Sequence, residues 1–142
     1  MRIPIRRGEA SDAPSCAAIV NAWIDTTDWI PRVHSKDAIE DMLRTGIPAR
    51  EFWVASDPIA GYLSFNRDIS QVMGLYSAVP GSGVGRALMD HVKEGRDWIQ
   101  LWSHAANTAA HRFYRREGFI EVEQNPKGAD GIPEIRMEWA RG

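Results

Sequence analysis

The chain has 142 residues, with 12 Gly, 8 Pro, 6 Trp and one Cys, and is 44% hydrophobic and 25% charged. That composition fits one globular domain and excludes a disordered chain, a collagen-like repeat and a coiled coil. The single Cys16 excludes an intrachain disulfide and a Cys-rich zinc site, and 17 Lys+Arg against 19 Asp+Glu leave a net charge of −2, so no general pull toward nucleic acid or anionic lipid is expected.

The opening MRIPIRRGEASD is basic but has no apolar stretch of signal-peptide length, and no later run approaches the roughly 18 to 20 apolar residues of a membrane span. A soluble, cytoplasmic protein without a membrane partner is expected. IPIRR reads as a short strand. Ser11 or Asp12 can then cap a helix, with Pro14 in its first turn and Ile19, Val20, Trp23 and Ile24 on one face. TTDWIPRVH breaks that pattern at Pro31. Ser35 can cap a second helix whose Ile39, Met42 and Leu43 share a face.

A different period follows. EFWVAS, AGYLSFN and QVMGLYSAV are short, aromatic or β-branched runs separated by turn material, which predicts an antiparallel meander. After the glycine-rich PGSGVG, the spacing of Val84, Leu88 and Val92 predicts a helix that Gly95 ends. DWIQLWS reads as a strand, and Asn107 can cap TAAHRFYRRE, which Gly118 terminates. FIEVEQ and EIRMEWA are two final strands joined by the polar loop PKGADGIP. The fold class is therefore α/β (α+β): one domain over residues 1–142, with a mixed, mostly antiparallel sheet of about seven strands flanked by about four helices. The unit from QVMGLYSAV to WIQLWS should be a parallel crossover.

Gly81, Gly83 and Gly85 lie between a strand and a helix start, where unpaired N–H groups and the positive end of the helix dipole converge. Such a loop is either a tight turn or an anion cradle, with Arg86 able to add a charged contact. Two phosphate motifs fail here: the last glycine is followed by Arg86 and Ala87 rather than Lys and Ser/Thr, and no glycine completes GxGxxG.

LYSAVPGSGVGRALM and LWSHAANTAAHRFYRREGF together resemble the two cofactor segments of the GNAT superfamily of acyl-CoA-dependent N-acetyltransferases. The first is similar to that family's strand, Q/RxxGxG/A loop and helix, and the second to its N…A..FY…GF pattern. WIPRVHSKD and PEIRMEW also resemble a bacterial subset. Pro80 stands where the family usually has Gln or Arg, and the loop is shorter than usual, while Gly83 and Gly85 are kept.

The resemblance implies acetyl-CoA as co-substrate, no metal, a small-molecule or protein amine as acceptor, direct transfer in a ternary complex and a homodimeric assembly. It places Leu75, Tyr76 and Ser77 along pantetheine, and Gly81, Ser82, Gly83, Val84, Gly85 and Arg86 around the pyrophosphate. Asn107 would hydrogen-bond the cofactor as well as cap its helix, with Ala110 and Phe113 as apolar wall. Tyr114 matches the family tyrosine that protonates the leaving thiolate, and a tyrosine near its ordinary pKa of about 10 carries that proton at neutral pH.

Otherwise Tyr114 is an aromatic that only packs. His104 is the candidate base, with His34 or a water chain to a carboxylate as the alternatives, histidine being the side chain type that ordinarily titrates near neutrality. Trp29 and His34 are the candidate acceptor contacts, with a core plug as the other reading of Trp29. His91 and His111 read as solvated helix faces, and no spacing such as HExxH points to a metal. The alternative to an enzyme is an acyl-CoA-binding sensor that keeps the cradle and gives Tyr114 no task.

Overall fold

The structure, a computed structural model, describes residues 2–128 and 131–142. In chain order it has β1 (Ile5–Arg7), α1 (Ala13–Asp25), α2 (Lys36–Ala49), β2 (Glu51–Ala55), β3 (Gly61–Asn66), β4 (Gln71–Ser77), α3 (Val84–Lys93), β5 (Trp98–His104), α4 (Thr108–Arg116), β6 (Ile120–Asn125) and β7 (Glu134–Ala140). The strands form one sheet in the order β1-β2-β3-β4-β5-β7-β6. Among the described residues only β4 and β5 are parallel neighbours. This is the expected mixed, mostly antiparallel architecture, with four α-helices among the described residues. Ala129 and Asp130 of the expected polar loop lie outside the described residues.

Period-two alternation divides the core between the two faces of the sheet. Phe52 and Val54 of β2 and Tyr62 of β3 pack with Ala13 and Cys16 of α1 and Ile47 of α2. On the other face Leu63 and Phe65 of β3 meet Val84, Leu88, Met89 and Val92 of α3, together with Leu101 and Met137. Burying a side chain such as Leu63 or Leu88 fully contributes about 1.5–3 kcal/mol.

The start of α1 departs from the expected cap. A single 3-10 turn, Ala10–Asp12, precedes the helix, and Asp12 occupies the N-cap position without a side-chain bond into α1. Its carboxylate turns back instead, accepting from the Glu9 N–H at 2.8 Å and from both terminal nitrogens of Arg6 at 2.8 and 2.9 Å. That fork ties α1 to β1. Ser35 does cap α2, its hydroxyl accepting from the Ala38 N–H at 3.1 Å.

One irregularity shapes the middle of the sheet. Gly74 and Val72 stand opposite Ser64 and Phe65, so Met73 is an extra residue in β4. A bulge of this kind bends its strand and increases the local twist. Among the described residues β4 and β5 pair only at Gln71↔Gln100 and Val72↔Leu101, although both strands run on for several residues. The β4 edge facing β5 is therefore left unpaired from Met73 to Ser77.

Candidate active site

The unzipped strands open a cleft of ≈ 930 Å³ lined by β4, β5, the loop before α3 and the inner faces of α3 and α4. Backbone groups on an open strand edge must find partners, which makes the edge a template for an extended amide-bearing ligand. Leu75, Tyr76 and Ser77 line it.

One end of the cleft is built from helix starts. Gly83 is the N-cap of α3 with φ 86°, a left-handed conformation that side chains with a Cβ seldom adopt. Val84 follows with its side chain buried in the core, while Gly81, Ser82, Gly83, Gly85 and Arg86 line the cleft. Gly85 is small for a different reason: a Cβ there would lie 3.3 Å from Cζ of Phe113, so it sets the close approach of α3 to α4. The first N–H groups of α3 have no helical acceptor and face this end with the positive end of the dipole.

Asn107 lines the same region and caps α4, its Oδ1 accepting from the Ala110 N–H at 3.2 Å. The cap occupies the oxygen and leaves the amide nitrogen as a donor. Arg112 and Arg116 add a cationic rim that the motif reading did not single out. Their spacing of four in HRFYRRE puts them on one helix face, a signal that was available in the sequence.

Tyr114 lines the cleft from α4, with its ring 5.4 Å from Phe113 and 5.8 Å from Phe119. Burial pushes its hydroxyl well above the ordinary tyrosine range, with a smaller contribution from nearby Tyr76. The phenol is thereby kept as a proton donor. Cys16 is buried and its thiol is pushed up to about 12 by desolvation, which makes it a poor nucleophile at neutral pH.

The other end is aromatic. Trp23, Tyr76, Trp102 and His104 line it, and Trp23 lies 5.5 Å from Tyr76, edge to face. Trp29 is not on the cleft wall; its ring sits behind, 5.8 Å from Trp23 and 5.3 Å from His104. His34 is exposed and also off the wall. Two histidines differ from expectation. His111 is buried rather than solvated, its Nε2 3.0 Å from the carbonyl oxygen of His104, and desolvation holds it below the ordinary histidine value. His91 is half-buried, its ring 4.2 Å from that of Trp53. Among the described residues no group of three or more His, Cys, Asp or Glu is placed to hold a metal ion, and no helix is long and apolar enough to cross a membrane.

A family model described as an acetyltransferase (GNAT) domain matches residues 17–141. The chain belongs to the GNAT acetyltransferase family. It is 26% identical over 122 residues to peptidyl-lysine N-acetyltransferase YjaB of Escherichia coli, covering 84% of this chain and 83% of the relative. The apo-form solution structure of YjaB superposes with a TM-score of 0.81 over the whole of both chains at 23% identity. An amino-acid acetyltransferase of Mycobacterium tuberculosis is 26% identical over 142 residues, covering 92% of this chain and 76% of that one. The structure of yncA from Salmonella typhimurium, solved with its cofactor acetyl-CoA, matches with a TM-score of 0.73 at 20% identity, over 99% of this GNAT chain and 94% of that one. The protein is an N-acetyltransferase.

Proposed function

We propose that the protein transfers the acetyl group of acetyl-CoA to the ε-amine of a lysine in a polypeptide, directly and in a ternary complex. The observation that carries this reading is the β4 edge without β5 partners beyond Val72, which lines the same cleft as the glycine-rich start of α3 and the aromatic side chains. Pantetheine has amides to pair with such an edge, and a pyrophosphate suits the N–H groups at the α3 start. Arg86, Arg112 and Arg116 offer countercharge to the phosphates, and Asn107 donates to the pantetheine arm. The YjaB relative is a peptidyl-lysine enzyme by name.

The aromatic end suits the aliphatic stem of a lysine, and removing water from an ammonium favours the neutral, nucleophilic amine. In the transfer, the amine nitrogen attacks the thioester carbonyl carbon and the C–S bond breaks. The departing thiolate takes the Tyr114 hydroxyl proton, the amine gives up its proton toward His104, and solvent restores the phenol. Backbone N–H groups of β4 beside Leu75 to Ser77 stabilise the oxygen that gains charge.

The test is calorimetry with acetyl-CoA combined with thiol release on an N-terminally blocked lysine peptide. Saturable binding and acetylation of the lysine, read by mass spectrometry, are expected. Binding without turnover on any amine would instead favour the sensor, and no binding would remove both readings.

A further inference from the structure

Residues 26–35 join α1 to α2 and carry Trp29. The Thr26 and Thr27 hydroxyls tie the start of this loop back to the Trp23 carbonyl oxygen, and its far half is tied down by Arg32, whose guanidinium makes four contacts. Nη1 donates to Oδ1 of Asn21 at 2.9 Å and to the carbonyl oxygen of His34 at 3.1 Å. Nη2 donates to Oδ1 of Asp25 at 2.9 Å and reaches the carbonyl oxygen of Asn21 at 3.5 Å. Asn21 is buried, and Asp25 also pairs with Nζ of Lys36 at 3.2 Å. One planar fork thus joins the last two turns of α1 to the far end of the loop.

The fork has a consequence for the cleft. With the loop pinned, Trp29 lies between Trp23 and His104, completing a run of rings Tyr76, Trp23, Trp29 and His104. Tyr76 is on β4 and His104 ends β5, so the run bridges the two strands at the end where they have separated. Trp29 touches the wall from behind and holds the rings that line it.

We propose that Arg32 is a positioning residue for the acceptor: it fixes residues 26–35 so that Trp29 locks Trp23 and His104 into the wall against which the incoming amine is oriented. The inference rests on the reading that the amine enters at the aromatic end. A single exposed ion pair holds little. Four contacts on one rigid fork restrict a whole loop, which lysine, a point charge on a flexible stem, cannot reproduce. A loosened wall leaves cofactor binding intact and costs the acceptor its orientation.

Two readouts test this on Arg32→Ala, Arg32→Lys and Asp25→Asn. The first needs no acceptor: edge-to-face tryptophans at this distance give an exciton couplet in circular dichroism, which should vanish in Arg32→Ala, weaken in Asp25→Asn and not be rescued in Arg32→Lys. The second is kinetic, with an N-terminally blocked lysine peptide and a simple primary alkylamine. The peptide KM should rise about tenfold in Arg32→Ala, with a smaller change in kcat and an acetyl-CoA Kd within about twofold of native.

A couplet unchanged in Arg32→Ala overturns the strap. A couplet lost with unchanged acceptor KM overturns the role in orienting the amine. If the native protein acetylates neither amine, the acceptor reading fails by itself and the couplet still decides the strap. A thermal melt of each variant separates loop loosening from unfolding.

Discussion

The two ends of the cleft are made of different materials. The end assigned to the cofactor uses backbone: helix-start N–H groups, glycines and an unpaired strand edge, all within residues 71–86 and 107–116. The aromatic end uses side chains brought together from α1, β4, β5 and the loop before α2. In the proposed reading, backbone geometry would hold a ligand feature common to every reaction, the CoA arm, and would tolerate change in most side chains. A wall of side chains can be replaced one ring at a time, which suits the end that must match a particular amine.

Tyr114 lines the cleft and is the proposed proton donor to the leaving thiolate, so its loss should have the largest effect. In that proposed role the thiolate would leave unprotonated without the phenol, so Tyr114→Phe should lower kcat by about 10²- to 10³-fold. Acetyl-CoA affinity should stay near native by calorimetry. Equal losses in kcat and in cofactor affinity would mean that the tyrosine only packs.

Gly83→Val probes the backbone end alone. A β-branched residue forced to φ 86° costs about 1–2 kcal/mol, so the loop should shift and the acetyl-CoA Kd should rise about tenfold. The tryptophan couplet at the other end should be unaffected. Native cofactor affinity would show that the loop is only a turn.

The same contrast explains what the sequence alone could convey. Helix and strand order follow from local periodicity, and the glycine-rich loop before α3 and the Asn107 cap of α4 are local patterns, so all of these were readable. The Met73 bulge was not, because nothing in QVMGLYS marks an extra residue until its pairing with β3 is known. Arg32 was missed for a similar reason: its partners Asn21 and Asp25 lie about two to three turns of chain away, and a loop arginine has no periodicity to betray a role. His111 looked solvated because its polar face is satisfied by a carbonyl in another element, the end of β5.

His111 also offers the finest test, since it braces the turn that carries His104 toward the aromatic end and Asn107 toward the other. Its Nε2 meets the His104 carbonyl oxygen, and desolvation outweighs that bond in setting the direction of its shift; the nearby charge of Arg115 lowers it further and that of Glu121 opposes this. The folded value therefore lies below the ordinary 6.5. Between the two values the unfolded chain binds more proton than the folded one, so protonation favours unfolding. The His111 contribution is complete above 6.5 and is lost as pH falls through the folded value. In melts over a pH series from about 8 to about 5, native Tm should decline in the lower half partly for this reason. His111→Gln keeps a donor for the carbonyl without a titrating ring, and it should flatten that part of the profile while changing kcat and acetyl-CoA affinity only a few-fold. An identical profile in the variant would show that the acid sensitivity belongs to the carboxylates, among them Asp12, whose hydrogen bonds from Arg6 hold it below the usual range.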